Sequence, residues 1–264
     1  QKKYYRMSVK LSIVVPIYNP NEEHLLKAVE SLNYQTFKDF IVIWVFTSFI
    51  DEGVVEQINV LAIFPCKFLV AKEKGIAAAL NCGLDVVETD YVARFDADDV
   101  CHPNRFELQL DFLECNRDVD ICGSDIIIIG NDGRVVAKRF YPTSDNSIKD
   151  SFLFKSPLAH PAIVFRKSLF GTLRYCERFR SAEDLELFLR LRNNNRKFHN
   201  LPYPLLYYRE NQVVRSRTHL YYNFLARLRN LKHASDLISI ALSLLILFLP
   251  SGIISFLKLR LYSK

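Results

Sequence analysis

The chain has 264 residues, half of them apolar and 24% charged, enough for one large domain or a domain with an appendage. This excludes collagen-like, low-complexity and disordered classes. The net charge of +6 is concentrated in the tail, where eight basic residues and one acid, Asp236, follow Asn211. A near-neutral body with a basic tail argues against a nucleic-acid-binding body. It points to an anionic partner near the tail, such as a lipid surface or a diphosphate.

Leu11–Ile17 reads as a buried strand, nearly all apolar and β-branched. Residues 1–6, before Met7, are expected to lie outside the core. Asn19-Pro20-Asn21-Glu22-Glu23 opens a helix carrying Leu25, Leu26, Val29 and Leu32 at helical spacing. Ile41–Phe46 is a second buried strand, Glu52–Val60 a short helix, and Lys67–Val70 a third strand. Ile76–Val87 is helical, with Leu80, Leu84 and Val87 on one face. Tyr91–Phe95 is a fourth strand that ends in Asp96-Ala97-Asp98-Asp99. Pro103 opens a helix that turns Phe106, Leu110 and Leu113 inward. Four such alternations predict a parallel sheet with helices on both faces and ligands at the carboxyl ends of the strands.

The second half is more mixed. Ile121–Ile129, Val135–Phe140 and Ala162–Arg166 read as strands, with Asn131-Asp132-Gly133 as a turn between the first two. Ala182–Asn193 is helical and Pro202–Tyr208 extended. Leu237–Leu257 holds 21 residues without a charge, long enough to span a bilayer, but Pro250-Ser251-Gly252 interrupts it. Basic residues flank both sides, so an interfacial or re-entrant segment is expected over a single span or a soluble core or oligomer helix.

The eight glycines never stand two apart, so the Gly-x-Gly-x-x-Gly fingerprint and the Walker A loop are absent. The six cysteines form no Cys-x-x-Cys pair, which fits reduced, mostly buried thiols in a cytosolic protein. No secretory signal is expected, because the first apolar run is too short.

Three carboxylates within four residues repel one another unless a cation compensates. Their hard oxygens suit Mg²⁺ or Mn²⁺, which also hold diphosphates. A solvated turn capping the next helix is the bland alternative. The position after a buried strand favours the metal. Glu183-Asp184 at a helix start is either dipole-complementing acid or a general base. His160 is a candidate active-site residue, though a lone histidine is more often structural. Arg209, Arg215 and Arg217 are candidate phosphate clamps, or equally part of a lipid-facing basic surface.

Ser12-Ile-Val-Val-Pro-Ile-Tyr-Asn19, Gln35-Thr-Phe37, Gly75 with Ala79-Leu80-Asn81-Cys82-Gly83-Leu84, and Tyr91-Val-Ala-Arg-Phe-Asp96-Ala97-Asp98-Asp99 together resemble glycosyltransferase family 2. So do Pro103-Asn-Arg105 with Gln109, His160-Pro161 with Phe165-Arg166-Lys167-Ser168, Ala182-Glu183-Asp184 with Leu189-Arg190-Leu191, and Asn200-Leu-Pro202 with Tyr208-Arg209. The order resembles the branch that builds bacterial exopolysaccharide and O-antigen-like glycans. The resemblance covers about residues 8–217 as a GT-A domain, leaving 218–264 as a basic, apolar, membrane-associated segment.

The resemblance implies a Rossmann-like mixed α/β sheet, a nucleotide-sugar donor and inverting transfer to a hydroxyl. It places Asp96 near the ribose and Asp98, with Asp96, on Mn²⁺ or Mg²⁺. It makes Asp184 the base with Glu183 beside it, and sets Pro16, Tyr18 and Asn19 along the nucleotide pocket. One departure stands out: Phe46-Thr47-Ser48-Phe49 occupies the place of the family's Asp-Asp-Gly-Ser, whose first Asp contacts the nucleobase. Thr47 or Ser48 could bond the base more weakly there, and Phe46 could stack on it. The processive synthases' Gln-x-x-Arg-Trp is absent, which favours single addition. The expected enzyme works on the cytosolic face of a bacterial membrane and extends a glycan or polyprenyl-linked acceptor. The alternatives are a non-catalytic nucleotide-sugar or glycan-binding relative and, more weakly, a nucleotidyltransferase.

Overall fold

The computed structural model describes residues 9–171, 174–210 and 216–250. The expectation for residues 1–6, the clamp role for Arg215 and the end of the apolar tail lie outside them.

The first half follows the expected alternation. Strand β1 (Leu11–Ile17) leads to helix α1 (Glu22–Asn33), β2 (Phe40–Phe46), α2 (Glu52–Leu61), β3 (Cys66–Val70), α3 (Ile76–Asp85) and β4 (Tyr91–Arg94). Their strands pair in parallel, in the order β3-β2-β1-β4. Asn21 caps α1 by accepting the His24 N–H at 3.1 Å, so Pro20 stands just before the cap.

Then come β5 (Val100–Cys101), α4 (Arg105–Cys115), β6 (Ile121–Ile129), β7 (Val135–Arg139), α5 (Asp145–Ser151), β8 (Val164–Arg166), α6 (Glu183–Asn193) and β9 (Phe198–Arg209). Strand β8 lies antiparallel between β4 and β6, β9 runs parallel to β6, and β7 folds back on β6. The sheet is therefore mixed. Helices α7 (Arg217–Arg229) and α8 (Ala234–Phe248) close the described chain.

Several boundaries differ from the sequence reading. His160–Ala162 is a 3-10 turn, so β8 is shorter than Ala162–Arg166. Helix α5 went unread because Ile148 is its one buried residue and no apolar period marks it. Helix α8 ends at Phe248, ahead of Pro250. Among the described residues no helix is long and apolar enough to cross a membrane.

Strand alternation sorts the core into two layers. Leu11, Ile13, Val15 and Ile17 pack with α1, α2 and α4, while Val14, Ile43 and Val45 pack with α3, α5 and α6. Where β4, β8 and β6 meet, fully buried Arg105 donates to the Arg94 carbonyl (2.9 Å), and Gln109 donates to those of Cys122 (2.8 Å) and Ala162 (2.9 Å). These bonds satisfy carbonyls that a three-residue strand leaves without ladder partners.

Helix α3 sits so close to the sheet that a Cβ on Gly83 would lie 2.5 Å from Val14 Cγ1 and 3.2 Å from Val45 Cγ2. Both neighbours are stiff valines of a buried sheet. Gly83→Val should therefore lower stability by about 3 kcal/mol through overpacking, more than the roughly 1 kcal/mol a helix gains on losing glycine. Urea unfolding midpoints check it.

Candidate active site

The carboxyl ends of β1, β2 and β4 open into a cleft of about 1110 Å³. Pro16, Tyr18 and Asn19 enter from β1, Thr47 and Ser48 from β2, and Asp96 and Asp98 from β4. Six of the residues read from the sequence (Pro16, Tyr18, Asn19, Thr47, Asp96, Asp98) thus share one wall system. Asn19 holds φ 42°, a left-handed conformation that asparagine tolerates and that turns the chain sharply into α1. Tyr18 is 79% exposed. Phe46, expected to be able to stack on a base, is instead 3% exposed and packed in the core, because strand alternation turns it toward α1 and α2.

The acidic turn is built around two arginines. Arg94, buried on β4, forms an ion pair with Asp96. Burial pulls the Arg94 pKa down, but the charge of Asp96 outweighs it and the net shift is upward. Burial raises Asp98, and the Asp96 charge adds to that. Asp99 is fully buried. One of its oxygens accepts the Arg209 N–H at 2.8 Å and the other has no partner. Burial first, then Asp96 and Asp98, push it well above the usual carboxylate range.

Arg209 does not line the cleft. Its guanidinium donates to the carbonyls of Asp98 (2.9 Å), Gly130 (2.6 Å) and Asn131 (3.1 Å), tying the acidic turn to the β6–β7 turn. His24 Nε2 lies 3.1 Å from the same Asn131 carbonyl. Through these Nε and Nη1 bonds Arg209 holds the wall in place. His160 is also away from the cleft lining. It is buried, 2.7 Å from the Tyr175 hydroxyl and edge-on to Phe188. Burial, with Arg94 second, drives it well below its ordinary range, so it is neutral. Arg217 donates to the Leu247 (2.7 Å) and Leu249 (3.3 Å) carbonyls at the end of α8.

Glu183 and Asp184 begin α6 after Ala182, whose φ of 56° is left-handed and whose side chain cannot cap the helix. Such strain costs on the order of 1–3 kcal/mol and clusters at functional sites. Glu183 is buried, Asp184 half-buried. Neither lines the main cleft, yet Arg94 and Asp96 act on Glu183 through space. Burial, with Asp184 second, raises Glu183 to about 7.

Sequence reading missed two cleft cations, Lys74 ahead of α3 and Arg180 ahead of α6. Neither forms an ion pair among the described residues. The available signal was a basic residue next to Gly75, whose φ of 114° shapes that loop, and another three residues before Glu183. Three carboxylates, Asp96, Asp98 and Glu23, therefore share a cleft with two cations that form no ion pair among the described residues, a distribution suited to a diphosphate with a divalent ion.

Among the described residues no group of three His, Cys, Asp or Glu stands together to hold a metal. The donor set fits an ion that takes one or two protein carboxylates and completes its shell with phosphate oxygens and water, as Mg²⁺ does.

The sequence profile of glycosyl transferase family 2 matches residues 12–174, and the chain belongs to that family. The amylovoran biosynthesis glycosyltransferase AmsE of Erwinia amylovora is 31% identical over 194 residues, 72% of this chain and 73% of that protein. The O-antigen biosynthesis glycosyltransferase WbnJ of Escherichia coli is 35% identical over 137 residues, 51% of this chain and 53% of that one. The structure of S. aureus TarS 1–349 in complex with UDP-GlcNAc superposes with a TM-score of 0.67 at 21% identity, covering 89% of this chain and 71% of that one. Against TarS in a longer crystallised form, this chain spans 41%. The likeness establishes a GT-A-like fold.

Two outcomes follow for the wall. Arg209→Lys keeps the charge but not the three-carbonyl geometry, and should lower stability by about 2 kcal/mol, read as a urea midpoint shift at unchanged slope. Because Glu183 is raised from 4.5 to about 7 in the folded state, that state holds the extra proton between those values. Its contribution is fully present below about 4.5 and is lost as pH rises through about 7. Unfolding curves of Glu183→Gln should show a flatter decline across that window.

Proposed function

We propose that the chain, as a family 2 glycosyltransferase, moves a sugar from a nucleotide-sugar with inversion, using a divalent cation, onto a hydroxyl of a glycan or lipid-linked acceptor in cell-surface polysaccharide synthesis. The observation that carries this reading is the shared cleft of Asp96, Asp98, Lys74 and Arg180.

Asp98, with Asp96, would hold Mn²⁺ or Mg²⁺, which supplies charge neutralisation for a departing nucleoside diphosphate. Lys74 and Arg180 bind the phosphate oxygens from the other walls. Tyr18, exposed at the mouth, offers a ring to the base, and Thr47 and Ser48 offer hydroxyls where the family's carboxylate is missing. The TarS complex with UDP-GlcNAc makes a uridine donor the first to test.

Asp184 takes the proton from the acceptor hydroxyl as its oxygen attacks the anomeric carbon. The bond from that carbon to the diphosphate breaks on the opposite face, which inverts the centre. Glu183, raised by burial beside it, keeps a second negative charge from building up at the same helix start.

In this proposal residues 8–217 form the transferase unit, and 218–264 attach it to the cytosolic face of a bacterial membrane. The basic tail supports that setting, and the relatives AmsE and WbnJ support a role in bacterial polysaccharide synthesis. The missing carboxylate after β2 favours the rival reading, a non-catalytic nucleotide-sugar-binding relative.

Calorimetric titration of UDP, GDP, CDP and dTDP with Mn²⁺, then with EDTA, separates the two. One nucleotide should bind only with metal, and Asp98→Ala should weaken it at least about a hundredfold. Asp184→Asn should keep that binding while losing about 10²–10⁴-fold in turnover. Nucleotide binding without turnover in the unaltered protein would leave the non-catalytic reading.

A further inference from the structure

Helix α8 is packed inside out. Its buried residues are Asp236, Ser239 and Ser243, while Leu237, Ile238, Leu242, Leu244, Leu245 and Phe248 are exposed. A surface helix of a globular protein does the reverse. The inward stripe is held by specific polar bonds. Asp236 accepts both nitrogens of Arg192 at 2.9 Å and the backbone N–H of Lys232 (3.0 Å) and His233 (2.9 Å), and Arg227 donates to Ser239. These bonds fix the rotation of α8, so the apolar residues cannot turn inward.

At about 100° per residue the exposed apolar residues, with Ile246 at the edge, cover an arc of about 200°. A partner helix covers a narrower stripe, of about 100°. So wide an arc suits a continuous apolar medium. The helix has 15 residues, about 22 Å at 1.5 Å each, short of the roughly 30 Å of a hydrocarbon core. Positive charge stands at both ends, with Lys232 before the helix and Arg217 on the carbonyls of Leu247 and Leu249 after it. Lys258, Arg260 and Lys264 follow in the sequence. The one acid of the helix, Asp236, is turned inward onto Arg192.

We propose that α8 lies flat in the interface of an anionic lipid surface, with its apolar arc in the acyl boundary and its serine stripe on the protein. The orientation has a consequence for the reaction. Arg217 links the end of α8 to the start of α7, and two residues on His219 Nδ1 sits 2.8 Å from Ser181 Oγ, two residues before Glu183. Docking therefore brings the start of α6, with its acid pair, to the lipid boundary, where a lipid-carried acceptor hydroxyl would be presented. This consequence rests on the transferase reading. The docking itself does not.

The test is flotation of the full chain with vesicles of equal parts phosphatidylglycerol and phosphatidylcholine, and with phosphatidylcholine alone. The wild type should float with the anionic vesicles. A variant carrying Leu237→Ser, Ile238→Ser, Leu245→Ser and Phe248→Ser should lose at least about tenfold in partitioning. All four positions are exposed, so folding is spared, and hydrolysis of the nucleotide-sugar in solution should be unchanged. Absence of wild-type flotation, equal flotation of the variant, or equal binding to neutral vesicles overturns the proposal. So does a wild-type dimer that the four changes dissociate without any lipid binding, which would assign the face to a second copy. Hydrolysis by the wild type in solution reports on the transferase reading separately.

Discussion

Three aspartates in four residues repel, and with Asp99 fully buried beside half-buried Asp96 and Asp98 that repulsion is only partly screened by water. Everything around the cleft is arranged to contain it. Arg94 neutralises Asp96 from within β4, the Arg209 backbone bonds Asp99, and the Arg209 guanidinium holds the Asp98 carbonyl. Each arginine is itself anchored elsewhere. Arg105 bonds the Arg94 carbonyl, and Arg209 reaches the β6–β7 turn. The acidic turn is thus the point at which β4, β9 and the β6–β7 turn are tied together. Asp98 and Asp99 remain shifted upward after these contacts.

The change from parallel to antiparallel pairing at β4–β8 has a related role. A purely parallel sheet would place all its strand ends over one crevice. Here β8 runs backwards beside β4, and the 3-10 turn before it packs His160 against Tyr175 and Phe188. That packing supports the start of α6 from below. Glu183 reaches the field of Asp96 and Arg94 without standing in the same wall, so the two groups of carboxylates are kept on separate elements.

The tail obeys a different rule. Helix α7 still packs Ala226, Leu225 and Tyr222 on the core, but α8 is held through polar contacts, among them Arg192–Asp236 and Arg227–Ser239, while most of its leucines face away. Hydrophobic burial drives the folding of the body. For α8 the same force is left unspent on the protein and available to a surface.

The strands β1 to β4, their helices and the acidic turn were legible in the amino-acid order because each depends on local pattern: apolar runs, helical spacing and cap residues near Asn21. The family resemblance, carried by motifs from Ser12 to Arg209, came from the same order of residues. The roles of Arg209 and His160 were not legible. A buried arginine on backbone carbonyls and a phosphate-binding arginine have identical local sequence, and only the neighbours brought by β6 and β7 tell them apart. Lys74 and Arg180 escaped for the same reason, since nothing local shows that loops 106 residues apart line one cleft. The uncharged run after Asp236 was plain in the sequence. Which face of α8 meets the protein was decided by tertiary bonds to Arg192 and Arg227, because helix periodicity alone places the serines and the leucines on opposite sides without saying which side is in.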